Sequence, residues 1–104
     1  MRRNARDDQK VSRLCRQVRE ALSLALADVE DDAILELSVI DVVPAPDVTR
    51  LAVSIHAPEG SDIHALHEKL ERVMGRLRSD VANAIHRKKT PSLVFVFVAD
   101  SSPV

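Results

Sequence analysis

This chain of 104 residues is short of the residue types on which most specialised chemistry depends. A lone Cys15 excludes an internal disulfide and supplies no thiolate pair for a zinc site. Gly60 and Gly75 are the two glycines, so there is no glycine-rich loop of the kind that cradles nucleotide phosphates. Phe95 and Phe97 stand alone among Phe, Tyr and Trp, which removes the platforms on which proteins stack single-stranded bases. Any nucleic-acid contact would rest on charge and shape. No apolar run approaches the roughly 18 residues that span a bilayer, and the first 20 residues are charged throughout, unlike a signal peptide. The expected location is cytoplasmic, with no membrane partner. What the chain does have is 45% hydrophobic and 30% charged residues, the balance of a folding rather than a disordered sequence. Its length suits one core, so the expectation is a single domain over residues 1–104, with its core over about 9–100 and frayed ends.

The formal net charge of −1 hides a strong segregation. Residues 1–19 hold seven Lys or Arg against Asp7 and Asp8, a local charge of +5. Residues 20–68 hold Arg50 against eleven acids, −10, and residues 69–89 return to +5 with seven bases against Glu71 and Asp80. Two basic segments thus flank an acidic middle, and local potential rather than net charge steers a polyanion.

Val11, Leu14, Cys15, Val18, Leu22, Leu26 and Val29 recur at helical spacing, which predicts a first helix over about 9–29. The acids from Asp28 to Asp32 oppose a helix C-terminal dipole and should end it. Strands are expected over Leu35 to Val43 and Thr49 to Ala57, joined in a hairpin by Pro44-Ala45-Pro46-Asp47, because proline donates no ladder hydrogen bond. After the turn at Pro58 to Ser61, Ile63, Leu66, Leu70, Val73, Leu77, Val81 and Ala84 keep one apolar stripe across Gly75. A glycine there predicts a helix pair or bent helix pivoting at Val73, Met74 and Gly75. Lys69, Arg72, Arg76 and Arg87 form a second stripe about 120° from the first. Leu93 to Ala99 is apolar throughout, the pattern of an interior strand or one covered on both faces. Leu14, Val18, Leu22, Val53, Ile55, Leu66, Leu70, Leu77, Val81, Phe95 and Phe97 should form the core.

Catalytic and metal chemistry find little support. His64, His67, Glu68 and Glu71 share a helix face, yet nothing fixes a further ligand in a cleft, and a solvated face accounts for them. Cys15 falls on the apolar face of the first helix and reads as a small buried hydrophobe. The serines lack a glycine-rich elbow and a spaced Asp and His, so no enzyme and no cofactor are expected.

The resulting order, helix, two strands, helix pair, strand, is that of a type II KH-like α+β fold with a three-stranded sheet backed by helices. Gly75-Arg76-Leu77-Arg78-Ser79, then Thr90-Pro91-Ser92-Leu93-Val94-Phe95, then Asp100-Ser101-Ser102, closely resemble the signature of the ribosome-binding factor A family of bacterial small-subunit maturation factors. Val42-Val43-Pro44-Ala45-Pro46-Asp47-Val48 followed by Leu51-Ala52-Val53-Ser54-Ile55 matches the family's hairpin, and the resemblance covers about residues 10–102. The chain departs from the pattern at Asp32-Ala33-Ile34-Leu35, where the family usually has Asp-Pro-Arg-Leu, and at Val73-Met74-Gly75, where it has Ala-x-Gly. Like the family, it lacks the Gly-x-x-Gly clamp of ordinary KH domains. The resemblance implies a monomeric, non-enzymatic factor that binds the free 30S subunit or its precursor, contacts its rRNA and ribosomal proteins, and assists late rRNA processing. The bases expected to meet RNA are Arg13, Arg16, Arg72, Arg76, Arg78, Arg87, Lys88 and Lys89, with the acids of 28–36 turned away or facing a basic ribosomal protein. The alternatives are a protein-interaction or homodimer module built on the last strand as an edge, and a generic KH-like nucleic-acid binder.

Overall fold

A computed structural model describes residues 5–98, with side chains from residue 8 onward. The Asp100-Ser101-Ser102 part of the family pattern lies outside the described residues.

Helix α1 runs from Ala5 to Ala27, a turn earlier at its start than the apolar periodicity alone predicts. Leu14, Val18, Ala21, Leu22, Ala25 and Leu26 form its buried face. It ends ahead of the acidic run, and the N–H groups of Asp28 and Val29 donate to the carbonyls of Ala25 and Leu26 in a closing turn. The chain then makes a four-residue helix, α2, over Asp32–Leu35, where the sequence pointed to a turn leading directly into a strand. Four residues carry no readable periodicity. What makes this turn helical is Asp31, whose carboxylate accepts from the N–H groups of Ala33, at 2.9 Å, and Ile34, at 3.4 Å. Ile34 drops into the core, and β1 therefore begins at Ser38 rather than Leu35.

Strand β1 (Ser38–Pro44) pairs antiparallel with β2 (Arg50–His56), with a bulge between Val39 and Asp41. The expected hairpin closes through the Ala45 N–H, which donates to the Arg50 carbonyl, and through Asp47, which accepts from the Thr49 N–H and hydroxyl. Helix α3 spans Ile63–Ile85 with Asp62 as N-cap, its carboxylate 3.1 Å from the Ala65 N–H. It returns the chain so that β3 (Ser92–Val98) lies parallel to β2, giving the sheet order β1-β2-β3.

Two expectations are corrected here. The helix pair is one helix, since α3 continues through Gly75. A side chain placed at Gly75 would meet nothing within 4 Å, so no close crossing demands a glycine there. Packing of Leu66, Leu70, Leu77, Val81 and Ile85 on one unbroken stripe outweighs the roughly 1 kcal/mol propensity cost of a single glycine. Strand β3 is an edge rather than an interior strand: Leu93 and Phe95 are buried and Phe97 half-buried, while Val96 and Val98 are exposed. A continuous apolar run does not by itself distinguish the two situations. The interior position belongs to β2, whose Leu51, Val53 and Ile55 are fully enclosed.

Helices α1 and α3 pack on each other and cover one face of this sheet, α1 over β1 and α3 over β3. The core between them holds every residue expected there from the sequence, with Phe97 partly open. The α+β architecture of a three-stranded sheet backed by helices is as read from the pattern.

Candidate nucleic-acid interface

The register of α1 against α3 decides where the charges go. Ala21, Leu24 and Ala25 of α1, with Asp28 just past its end, share one groove with Asp80 and Ala84 of α3, and the Arg76 guanidinium donates to the Asp28 carboxylate. With Lys69 on Asp31 and Arg76 on Asp28, residue numbers rise on one side as they fall on the other, an antiparallel seam. Followed in one direction, the seam reaches the acidic turn before β1. In the other, the C-terminal end of α3 comes toward the N-terminal half of α1.

At the first end the charges are opposite and paired. The Lys69 ammonium lies 3.1 Å from one oxygen of Asp31 and 3.2 Å from the other. That hydrogen bond, helped by the N–H groups of Ala33 and Ile34, holds the Asp31 carboxyl below the usual aspartate range. Arg76 also reaches the Asp28 carbonyl at 3.4 Å. Two bases of the α3 stripe are therefore engaged by the acidic segment, which packs against the basic helix.

The remaining predicted bases fall in three places. Arg72 is exposed between Lys69 and Arg76 on the same side of α3, without an ion-pair partner among the described residues. Arg78 is also exposed, about 120° round the helix from Arg72 at 100° per residue, so the two do not act as one stripe. It shares its side of α3 with His67, whose ring meets Phe97 of β3 edge-on at 4.7 Å. Arg87, Lys88 and Lys89 do not continue the stripe at all. His86 ends α3 in the left-handed region at φ 52°, its N–H donating to the Ala82 carbonyl, and the three exposed bases follow in the loop leading to β3. Arg13 and Arg16 are exposed on α1, where Asp8, Gln9 and Ser12 complete the wall of an open groove. Val73 and Met74, expected at a pivot, pack partly buried against the core.

Sequence reasoning missed two contributors. Asp28 and Asp31 act as the partners of α3, a pairing across 48 and 38 residues that no local spacing announces. Arg50, absent from the expected contacts, is exposed as well. The histidine pair is split, since His64 sits 3.2 Å from Glu68 while His67 turns to Phe97. Burial, with the charge of Asp41 adding, pushes the half-buried Cys15 thiol up, away from the thiolate a nucleophile needs.

Comparison with known proteins agrees with this architecture. No family model matches the chain. Ribosome-binding factor A of Beijerinckia indica is 31% identical over 91 residues, a match covering 84% of this chain and 64% of the relative's length. The crystal structure of ribosome-binding factor A from Thermus thermophilus has a TM-score of 0.73 at 26% identity, over 84% of this chain and 93% of that one. A homology model of the Thermus thermophilus factor, fitted into a cryo-EM map of its complex with 30S, has a TM-score of 0.68 at 25% identity, over 86% and 94%. Sequence and fold together bear out the resemblance to the ribosome-binding factor A family.

Proposed function

We propose that this chain is a ribosome-binding factor A-type protein that binds the free small ribosomal subunit or its precursor through rRNA and assists late rRNA processing, as a cytoplasmic monomer without catalysis of its own. The observation that carries the reading is the likeness, over 84% of the chain, to a ribosome-binding factor A structure, together with a second likeness to that factor as fitted in a complex with 30S. Residues 9–100 then act as one KH-like unit. The chain spans 64% of the length of its Beijerinckia relative, and the activity of that longer protein is carried over here as part of the proposal. The charge pattern supports it: Arg13, Arg16, Arg87, Lys88 and Lys89 are exposed and unpaired among the described residues, as backbone phosphate contact requires. The shortage of aromatic platforms fits structured RNA better than splayed single strands.

Gradient fractionation of cell extract tests the reading. The protein should travel with free small subunits, be absent from translating ribosomes, and leave the particles as salt rises. Migration at the top of the gradient at low salt, or with translating ribosomes, would overturn it. The exposed Val96 and Val98 on edge strand β3 favour a second reading, self-association through that edge. Equilibrium sedimentation of the purified chain separates the two, since pairing requires a mass that grows with concentration.

A further inference from the structure

We infer that the two basic segments, at opposite ends of the sequence, form one phosphate-binding surface at one end of the fold, and that the α3 stripe around Arg76 is not part of it. The inference rests on the ribosome-binding reading and names the surface that reading would use.

One line on α1 starts at Leu24 and Ala21, which share a groove with Asp80 and Ala84 of α3, and continues at steps of three or four through the exposed Gln17, Arg13 and Lys10. The matching line on α3 runs from Arg76 through Asp80 and Ala84 to the helix end, directly before Arg87 and Lys88. The seam has an arginine against an aspartate at one end, while the α1 bases and the bases of the loop after α3 both lie toward the other. The sheet brings one more: Arg50 opens β2 opposite Ser92, which opens β3, and the Ser92 N–H donates to the Thr49 carbonyl. Lys10, Arg13, Arg50, Arg87 and Lys88 are all exposed, and among the described residues none has an ion-pair partner. Asp8 and Glu20 on α1 and Asp47, three residues before Arg50, are nearby acids along the chain, fewer than the five bases.

Converging like charges raise the local potential and leave it to be satisfied by an external anion. A polyphosphate backbone fits, because it offers charges at regular intervals to bases held on two separate elements. At the opposite end Arg76 and Lys69 already have carboxylates, so a phosphate there would have to displace Asp28 and Asp31.

Binding of the full chain to purified 30S particles, measured across a salt series, tests this. The variants are Arg13→Glu with Arg16→Glu, Arg87→Glu with Lys88→Glu, and Arg76→Gln as control, each checked by thermal melting. If a reversal pair unfolds, the corresponding Gln pair replaces it. Each basic pair should lose tenfold or more in affinity, with the slope of log affinity against log salt shallower by about one per lost phosphate contact. Arg76→Gln should bind within about twofold of wild type. Loss from one pair alone, or a tenfold loss in Arg76→Gln, overturns the single surface. Unchanged binding by both pairs, while wild type binds with a steep salt slope, overturns it and leaves the ribosome reading standing. Binding that survives ribonuclease digestion of the particles assigns the surface to a protein and overturns it too. Wild type that ignores the particles at low salt overturns both.

Discussion

The two ends of the α1–α3 seam are built from the same helices and serve opposite purposes. One is closed: Asp28 and Asp31 accept from Arg76 and Lys69 and tie the acidic turn to α3. The other is open: Lys10 and Arg13 on α1 and Arg87, Lys88 and Lys89 after α3 are exposed, with no carboxylate engaging them among the described residues. Charge at the closed end is spent on the fold, and charge at the open end stays exposed and unpaired among the described residues. A count of basic residues along the sequence does not make this distinction, because it depends on which residue lies across the seam.

Removing what holds both ends in register should have the largest effect. Leu22 of α1 and Leu77 of α3 are fully buried in the shared core. Leu77→Ala should cost about 2–5 kcal/mol in urea unfolding, the usual range for a buried leucine truncated to alanine. A loss under about 1 kcal/mol would mean that the helices are not joined through this layer. Gly75 tests whether the register runs unbroken, since it immediately precedes Arg76. With no atom within 4 Å of an added Cβ and a helical backbone, Gly75→Ala should stabilise by about 0.5–1 kcal/mol. The sequence alone pointed instead to a helix pair or bend pivoting at this residue, and destabilisation by alanine would restore that view.

Much of the fold is legible in the sequence because it follows from short-range periodicity. The stripes from Leu14 to Leu26 and from Leu66 to Val81, the hairpin around Pro44 to Asp47, and the enclosed Val53 and Ile55 all declare themselves at spacings of two, three or four. What failed is what depends on distant partners. The α2 turn needs the Asp31 cap and a core slot for Ile34, and the run from Leu93 to Val98 looks identical whether it sits at the middle of a sheet or at its edge. The site divides in the same way. Exposure of Arg13, Arg16, Arg72 and Arg78 follows from helix phase, whereas the loop position of Arg87 and the capture of Arg76 by Asp28 depend on where α3 ends and on the antiparallel register.

Acid sharpens the closed end of the comparison. Because Lys69 and two backbone N–H groups hold the Asp31 carboxyl below its ordinary value of about 3.9, the stability it contributes is complete above that pH. It is lost as pH falls from there through the lowered value. Asn caps a helix as well as Asp but carries no charge. Asp31→Asn should therefore melt below wild type at pH 7, with the gap closing as the pH is brought under about 3.9. A gap independent of pH would mean that Asp31 works through its cap alone and that Lys69 adds nothing.

The smallest effects carry the sharpest contrast, because their signs should differ between the ends. Arg76 and Asp28 are both substantially exposed, at 49% and 77%, so breaking their pair with Arg76→Gln should cost only about 0.2–1 kcal/mol. At the open end Arg13→Glu places a carboxylate between the exposed bases Lys10 and Arg16, at helical spacing, and should stabilise the chain by a few tenths of a kcal/mol. Both effects should fade near 1 M salt, where the screening length falls to about 3 Å. Chemical denaturation in urea at low and high salt resolves them, since urea adds no ions of its own. If Arg13→Glu destabilises at low salt, the base has an internal partner and the open end is closed like the other. If it stabilises the fold while weakening particle binding, the bases are kept together at a cost to folding, as expected of a surface selected for its ligand rather than for the core beneath it.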